Sequence, residues 1–144
     1  MILLELLDPC WINDSADDPE DNCAHGKIKF IVEGMVISDA KEDWTVSSAA
    51  LFLLRTVFHD HSPTNTVAEG NLLIPCCGFS PMKDAGERFS LLIMGCNSGL
   101  DPSIIHNHTN ITIEFKKEKR EVSLHDWAFA IVNFTEQVLR FYRA

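Results

Sequence analysis

The stretch ITIEFKKEKREVSLHDWAFAIVNFTEQVLRFYR, residues 111–143, decides how this chain folds. Ile111, Ile113 and Phe115 alternate with Thr112, Glu114 and Lys116, the period of a half-buried strand. Lys117–Lys119 suits a tight exposed turn, and Glu121–Ser123 returns as a partner strand. A helix then follows over 124–143. Trp127, Ile131, Phe134, Val138, Phe141 and Tyr142 lie along one helical face. Ser123 followed by Asp126 resembles a capping box, in which side chains satisfy first-turn amides. Arg140 and Arg143 complement the negative end of the helix dipole. A hairpin running directly into an amphipathic helix predicts an antiparallel sheet with a helix laid on one face.

Upstream elements agree. Residues 2–7 read as a short apolar strand. Pro9, Gly26 and many Asp, Asn and Ser residues mark 9–26 as a long loop. Ile28, Phe30 and Val32 alternate with Lys27, Lys29 and Ile31, and Met35–Ile37 follow a bulge or turn near Gly34. Ala50, Leu53, Leu54, Val57 and Phe58 form an apolar stripe, so 46–59 is a helix, with Thr45 or Ser47 as N-cap. Residues 60–70 are a polar loop. Leu72–Cys77 and Arg88–Met94 are short apolar runs, and Gly95–Pro102 is a turn. Regular strand–helix alternation is missing. The expected fold is therefore α+β: a mostly antiparallel sheet with two helices packed on one face. A chain of 144 residues with 46% hydrophobic residues fits a single domain over 1–144.

Charge is the other informative property. The net charge is −9. Residues 1–60 hold 12 acids and 4 bases, whereas 61–144 hold 9 acids and 8 bases. The excess centres on Trp11-Ile-Asn-Asp-Ser-Ala-Asp-Asp-Pro-Glu-Asp21, where Asp14, Asp17, Asp18, Glu20 and Asp21 lie together without a cation. Such asymmetry opposes a direct nucleic-acid ligand and favours a basic macromolecular partner. Lys116, Lys117, Lys119 and Arg120 are the only basic cluster, and Glu114, Glu118 and Glu121 offset it. The acidic run lacks the alternate oxygen positions, glycine and terminal Glu of a calcium loop. Exposed loop acids also lack the sheltered cleft of general acid–base catalysis. They read either as a solvated loop or as an electrostatic contact surface. Trp11 lies near Asp14, and Trp44 follows Glu42 and Asp43. Each indole is either an interface anchor rimmed by charge or a plug at the core edge.

Catalytic and metal motifs are sparse. Gly-rich phosphate loops are absent. Cys23-Ala-His25, Cys76-Cys77, His59-x-His61 and His106-x-His108 are the ligand candidates, but none has the paired spacing of a structural zinc site. Cys76 or Cys77 before Gly78 is a candidate thiol nucleophile, with core packing as the competing reading. The five cysteines, Cys10, Cys23, Cys76, Cys77 and Cys96, form no obvious disulfide framework. The apolar N-terminus is interrupted by Glu5 and Pro9 and lacks a positive flank, and no run reaches the ~20 residues of a membrane span. A soluble cytoplasmic protein is expected, with no membrane contact. The Asn-x-Ser/Thr triplets at Asn13, Asn107, Asn110 and Asn133 are then chance matches.

The profile resembles a known group. Asp21-Asn22-Cys23-Ala24-His25-Gly26 and Leu73-Ile74-Pro75-Cys76-Cys77-Gly78 are similar to segments of bacterial immunity proteins from contact-dependent growth-inhibition and related polymorphic toxin systems. The resemblance implies a non-enzymatic toxin inhibitor without cofactor or metal. Its partner would be a basic cognate toxin, a nuclease in many such systems. Charge steering would then fall to Asp14, Asp17, Asp18, Glu20, Asp21, Glu42 and Asp43, and anchoring to Trp11 and Trp44. The competing reading is a small thiol- or metal-dependent enzyme using Cys23, His25, Cys76 or Cys77.

Overall fold

The computed structural model describes residues 1–11, 23–69, 71–76, 79–83, 89–93 and 98–143. The chain runs β1 (Ile2–Cys10), β2 (His25–Val32), β3 (Met35–Thr45), α1 (Val46–Thr56), β4 (Ile74–Pro75), β5 (Phe79–Lys83), β6 (Phe89–Ile93), β7 (Gly99–Leu100), β8 (Ser103–Asn107), β9 (Asn110–Phe115), β10 (Glu118–Ser123) and α2 (Leu124–Arg143). Among the described residues all strand pairings are antiparallel. β1-β2-β3 form one sheet and β10-β9-β8 a second, while β4-β7 and β5-β6 are two-stranded ladders. The fold is α+β, as the missing strand–helix alternation predicts. Strand pairing is divided among several small sheets rather than one.

Local chemistry explains the hairpins. Glu33 and Gly34 both take positive φ, +45° and +77°, in the two-residue loop between β2 and β3. Lys116 and Lys117 do the same at +49° and +69° between β9 and β10. Two left-handed residues match the right-handed twist of the flanking strands, so the loops close tightly. The β9–β10 turn thus falls one residue earlier than the charge pattern suggests. β8 was not legible in the sequence: Ile104 is fully buried and Ile105 is largely exposed, but the segment reads as loop because its flanks are polar.

The core lies where the two helices meet the first sheet. Ile28, Phe30 and Val32 are fully buried on one face of β2, as their alternation predicts. From α2, Trp127, Ile131 and Phe134 are fully buried and Val138 nearly so. Each contributes about 1.5–3 kcal/mol of transfer free energy. The predicted stripe continues into half-buried Phe141 and ends at Tyr142, whose ring is substantially exposed. α1 differs more. Its buried residues are Val46, Ser48, Ala49, Ala50, Phe52, Leu53 and Thr56, while Phe58 lies past its end, 78% exposed. The helix stops at Thr56, short of the expected 59. Contacts with α2, β2, β3 and β4 surround α1 and widen its buried sector beyond a single stripe.

Capping follows backbone opportunity. Ser123 Oγ accepts from Asp126 N–H at 3.0 Å and caps α2 as predicted. At α1, Thr45 is the N-cap residue but makes no side-chain cap. Its hydroxyl instead donates to Cys76 O at 3.3 Å, and Ala24 O accepts from Val46 N–H at 2.9 Å. Ser47 Oγ accepts from Ala24 N–H at 3.2 Å, so this end of α1 is tied to β2.

Trp127 joins three elements. Its indole N–H donates to Thr56 Oγ1 of α1 at 3.1 Å, and its ring lies 6.0 Å from Phe30 of β2. Thr56 Oγ1 in turn donates to Leu53 O at 2.5 Å. Thr56→Val keeps the volume but leaves the indole donor unpaired, which costs about 1–3 kcal/mol. Equilibrium urea unfolding should show that loss at an unchanged slope.

Candidate functional site

Asp8, Glu42 and Asp43, scattered in sequence, are gathered towards one end of the first sheet, with Asp39 further along β3 opposite Lys29. Register pairs Cys10 with His25, Lys27 with Asp43, and Gly26 with Trp44. The segment between Trp11 and Cys23 therefore leaves and re-enters at this end. Asp14, Asp17, Asp18, Glu20 and Asp21 lie outside the described residues, as does Cys77. Two bulges shape the edge. The β1–β2 register shifts between Leu7 and Cys10, where Asp8 has φ +48° and Pro9 follows. The β2–β3 register shifts between Lys27 and Lys29, and Ala40, at φ +67°, belongs to the bulged stretch of β3 that carries Glu42. Bulges of this kind bend a strand and redirect its side chains. Gly26 allows the close approach: a Cβ there would lie 3.2 Å from both Leu7 O and Pro9 Cα.

The resulting face carries exposed Asp8, Asp39, Glu42 and Asp43. Lys27 Nζ donates to Asp43 Oδ1 at 3.0 Å, and Lys41 Nζ is 3.8 Å from Asp39. The Asp43 hydrogen bond and charge, with a smaller contribution from Asp8, raise the Lys27 pKa above its ordinary 10.5. Four carboxylates thus stand against three ammonium groups, Lys27, Lys41 and the exposed Lys29 opposite Asp39, before the flanking acidic run is counted.

The tryptophans part company. Trp11 is half-buried, its ring 4.8 Å from Phe141 and 5.0 Å from Tyr142 at the end of α2. The Tyr142 hydroxyl accepts from Ala24 N–H at 3.1 Å, fastening α2 to the start of β2. Trp11 therefore stands at the rim of the acidic face on a packed aromatic base. Trp44 is only 6% exposed, and its Nε1–H donates to Ser38 Oγ at 3.2 Å. It is a core residue, so the reading of Trp44 as a surface anchor is corrected. Strand alternation turns Trp44 inward while exposed Asp43 stays outside.

The thiol and imidazole candidates are distributed differently from their sequence pairs. Cys23 and His25 are buried, and Cys76 is half-buried. His25 sits opposite Thr45 and Cys10, and Thr45 bonds to Cys76 O, so these residues neighbour one another through the ladder. Among the described residues, no three His, Cys, Asp or Glu side chains form a group able to hold a metal.

The His-x-His pairs also separate. His61 is 1% exposed. Its Nδ1 accepts from Val67 N–H at 3.2 Å, which leaves the proton on Nε2 to donate to Asp101 Oδ1 at 2.6 Å. Thr66 Oγ1 lies 3.3 Å from the same Nδ1, and Leu73 N–H donates to Asp101 Oδ1 at 3.1 Å. Reciprocal backbone bonds of 2.8 Å join His61 and Ile104. This network pins the loop after α1 to β8, a role that the His spacing did not reveal. His106 is held by Thr56 O and Asp60, whereas His59 is exposed on the groove of about 940 Å³ that Arg55, Phe58 and Glu69 also line.

Comparison with family models, curated proteins and solved structures finds no match to this chain. No helix among the described residues is long and apolar enough to cross a membrane.

Two expectations follow. Asp101→Ala leaves the His61 and Leu73 donors unpaired and costs about 1–3 kcal/mol for each that stays buried, measured by urea unfolding. Because the folded Lys27 pKa is raised, its stabilising contribution is complete below 10.5 and is lost as pH rises through the folded value. An NMR titration of the Lys27 ammonium should show the pKa falling in Asp43→Asn.

Proposed function

We propose that this protein is an immunity protein: it binds a cognate basic toxin, of the nuclease class, and blocks it by occupying its active site from the cytoplasm of the producing cell. The convergence of Asp8, Asp39, Glu42 and Asp43 with the two ends of the acidic segment carries the reading. Nuclease sites are basic because they hold phosphates, so a carboxylate-rich face competes for the same cations. Complementary charge raises encounter rates to about 10⁸–10⁹ M⁻¹s⁻¹ at low salt. Retention needs a packed centre, and half-buried Trp11 on Phe141 and Tyr142 supplies a rigid aromatic rim.

The acids set arrival and the aromatic rim sets residence. Asp14, Asp17, Asp18, Glu20, Asp21, Glu42 and Asp43 steer, and Trp11 anchors. The test partner is the variable C-terminal region of a large secreted protein where the neighbouring upstream gene encodes one, or else a basic partner taken by affinity capture, assayed for nucleic-acid cleavage with and without this protein. Equimolar protein should abolish cleavage. Reversing Asp17, Asp18 and Glu20 to lysine should slow association about tenfold and flatten its salt dependence, with dissociation little changed. Unchanged association kinetics would remove the acidic segment from the interface.

A further inference from the structure

A second surface, away from the acidic end, has the chemistry of a strand-docking groove. β1 is an edge of the first sheet, and β10 is an edge of the second. Among the described residues neither edge pairs with a further strand. A groove of about 470 Å³ lies between β1, the end of β10 and the first half of α2. Arg120 Nε–H donates to Glu33 O at 3.0 Å and joins the two sheets at one corner.

The hydrogen-bonding phase of β1 is fixed from both sides. Glu33 N–H donates to Met1 O, and Leu6 N–H points the other way, to Gln137 Oε1 at 2.9 Å. Antiparallel ladders alternate, so Leu3, Glu5 and Leu7 exchange bonds with β2, while Ile2 and Leu4 turn their N–H and C=O groups into the groove. Gln137 closes the edge at Leu6 and leaves it open over Met1–Glu5. A natural protein ordinarily covers or blunts such an edge.

We propose that this groove receives an extended, basic segment of the toxin partner, which adds a strand to β1. The inference rests on the immunity reading for the identity of the partner. Side chains of an added strand alternate. Those beside Glu5 face the carboxylates of Glu5 and Glu33, and Asp126 adds a third at the start of α2. Among the described residues that line the groove, the Met1 ammonium, paired with Glu33, is the one cation that opposes them, and Lys29 stands opposite Glu5 on the β2 side. The intervening side chains face Val122, Ala130 and Phe129, and Phe129 is 65% exposed on the groove wall. The complementary sequence alternates Lys or Arg with an apolar residue. Main-chain bonds to Ile2 and Leu4 supply affinity, and the flanking chemistry supplies specificity. A second copy of this chain fits less well, because its β1 brings Glu5 and Asp8 but no Lys or Arg side chain to the carboxylates of the groove.

The test uses the full chain, labelled for NMR, with a blocked octapeptide alternating Lys and Val and a matched Glu–Val control. The Lys–Val peptide should shift the Ile2 and Leu4 amides and slow their hydrogen exchange at least tenfold, and the control should not. Glu5→Lys with Phe129→Asp, both at exposed positions, should weaken binding at least tenfold with an unchanged melting temperature. Absence of binding, equal binding to the double variant, or shifts confined to residues 55–69 would overturn the proposal. So would concentration-dependent protection of Ile2 and Leu4 without peptide, which identifies a second copy as the occupant. The two readings separate cleanly. Toxin neutralisation without protection of these amides removes the groove alone, and peptide docking without neutralisation removes the immunity role alone.

Discussion

The buried Trp127 indole is the contact on which the rest of the molecule depends. Its ring reaches Phe30 in β2 and its N–H reaches Thr56 at the end of α1, so one side chain of α2 fixes both helices against the first sheet. An indole donor in a dry core accepts few geometries, because an unpaired N–H costs as much as the packing gains. The Thr56 hydroxyl answers it at one angle, and Thr56 O also accepts from His106 Nε2–H at 2.7 Å. The position of α1 is thereby passed to β8 in the second sheet.

From that joint the far end of α2 is carried to the acidic face. The apolar face from Trp127 through Val138 holds the helix on the sheet, and its last turn brings Phe141 and Tyr142 beneath Trp11. The core thus supports a rigid aromatic rim at the place where the bulges of β1 and β3 expose carboxylates. Fold stability and the proposed binding chemistry meet at the C-terminal turn of one helix.

Legibility in the sequence followed the strength of periodicity. Ile28, Phe30 and Val32, the β9–β10 hairpin and the α2 face could be read because each buries one side against solvent on the other. The α1 stripe includes the buried Ala50 and Leu53 but not the buried Phe52, because a helix enclosed from several directions does not keep a single apolar face. The acidic neighbours of Trp44 do not tell an anchor from a core plug, since charge at adjacent positions says nothing about which way a strand residue turns. The His61–Asp101 pair was invisible because its members are 40 positions apart, and spacing arguments see only local pairs. Convergence of Asp8 with Asp43 likewise depends on two bulges, and no composition rule announces a bulge.

The central claim is that the acidic end of the first sheet is a docking face. Hydrogen exchange of this protein, free and bound to a basic toxin domain of the proposed class that it neutralises, is the measurement that decides it. Docking at this end slows exchange at Trp11, His25–Lys27 and Glu42–Thr45 in the complex. Protection confined to the groove around Arg55, His59 and Glu69, with those amides unchanged, would contradict it.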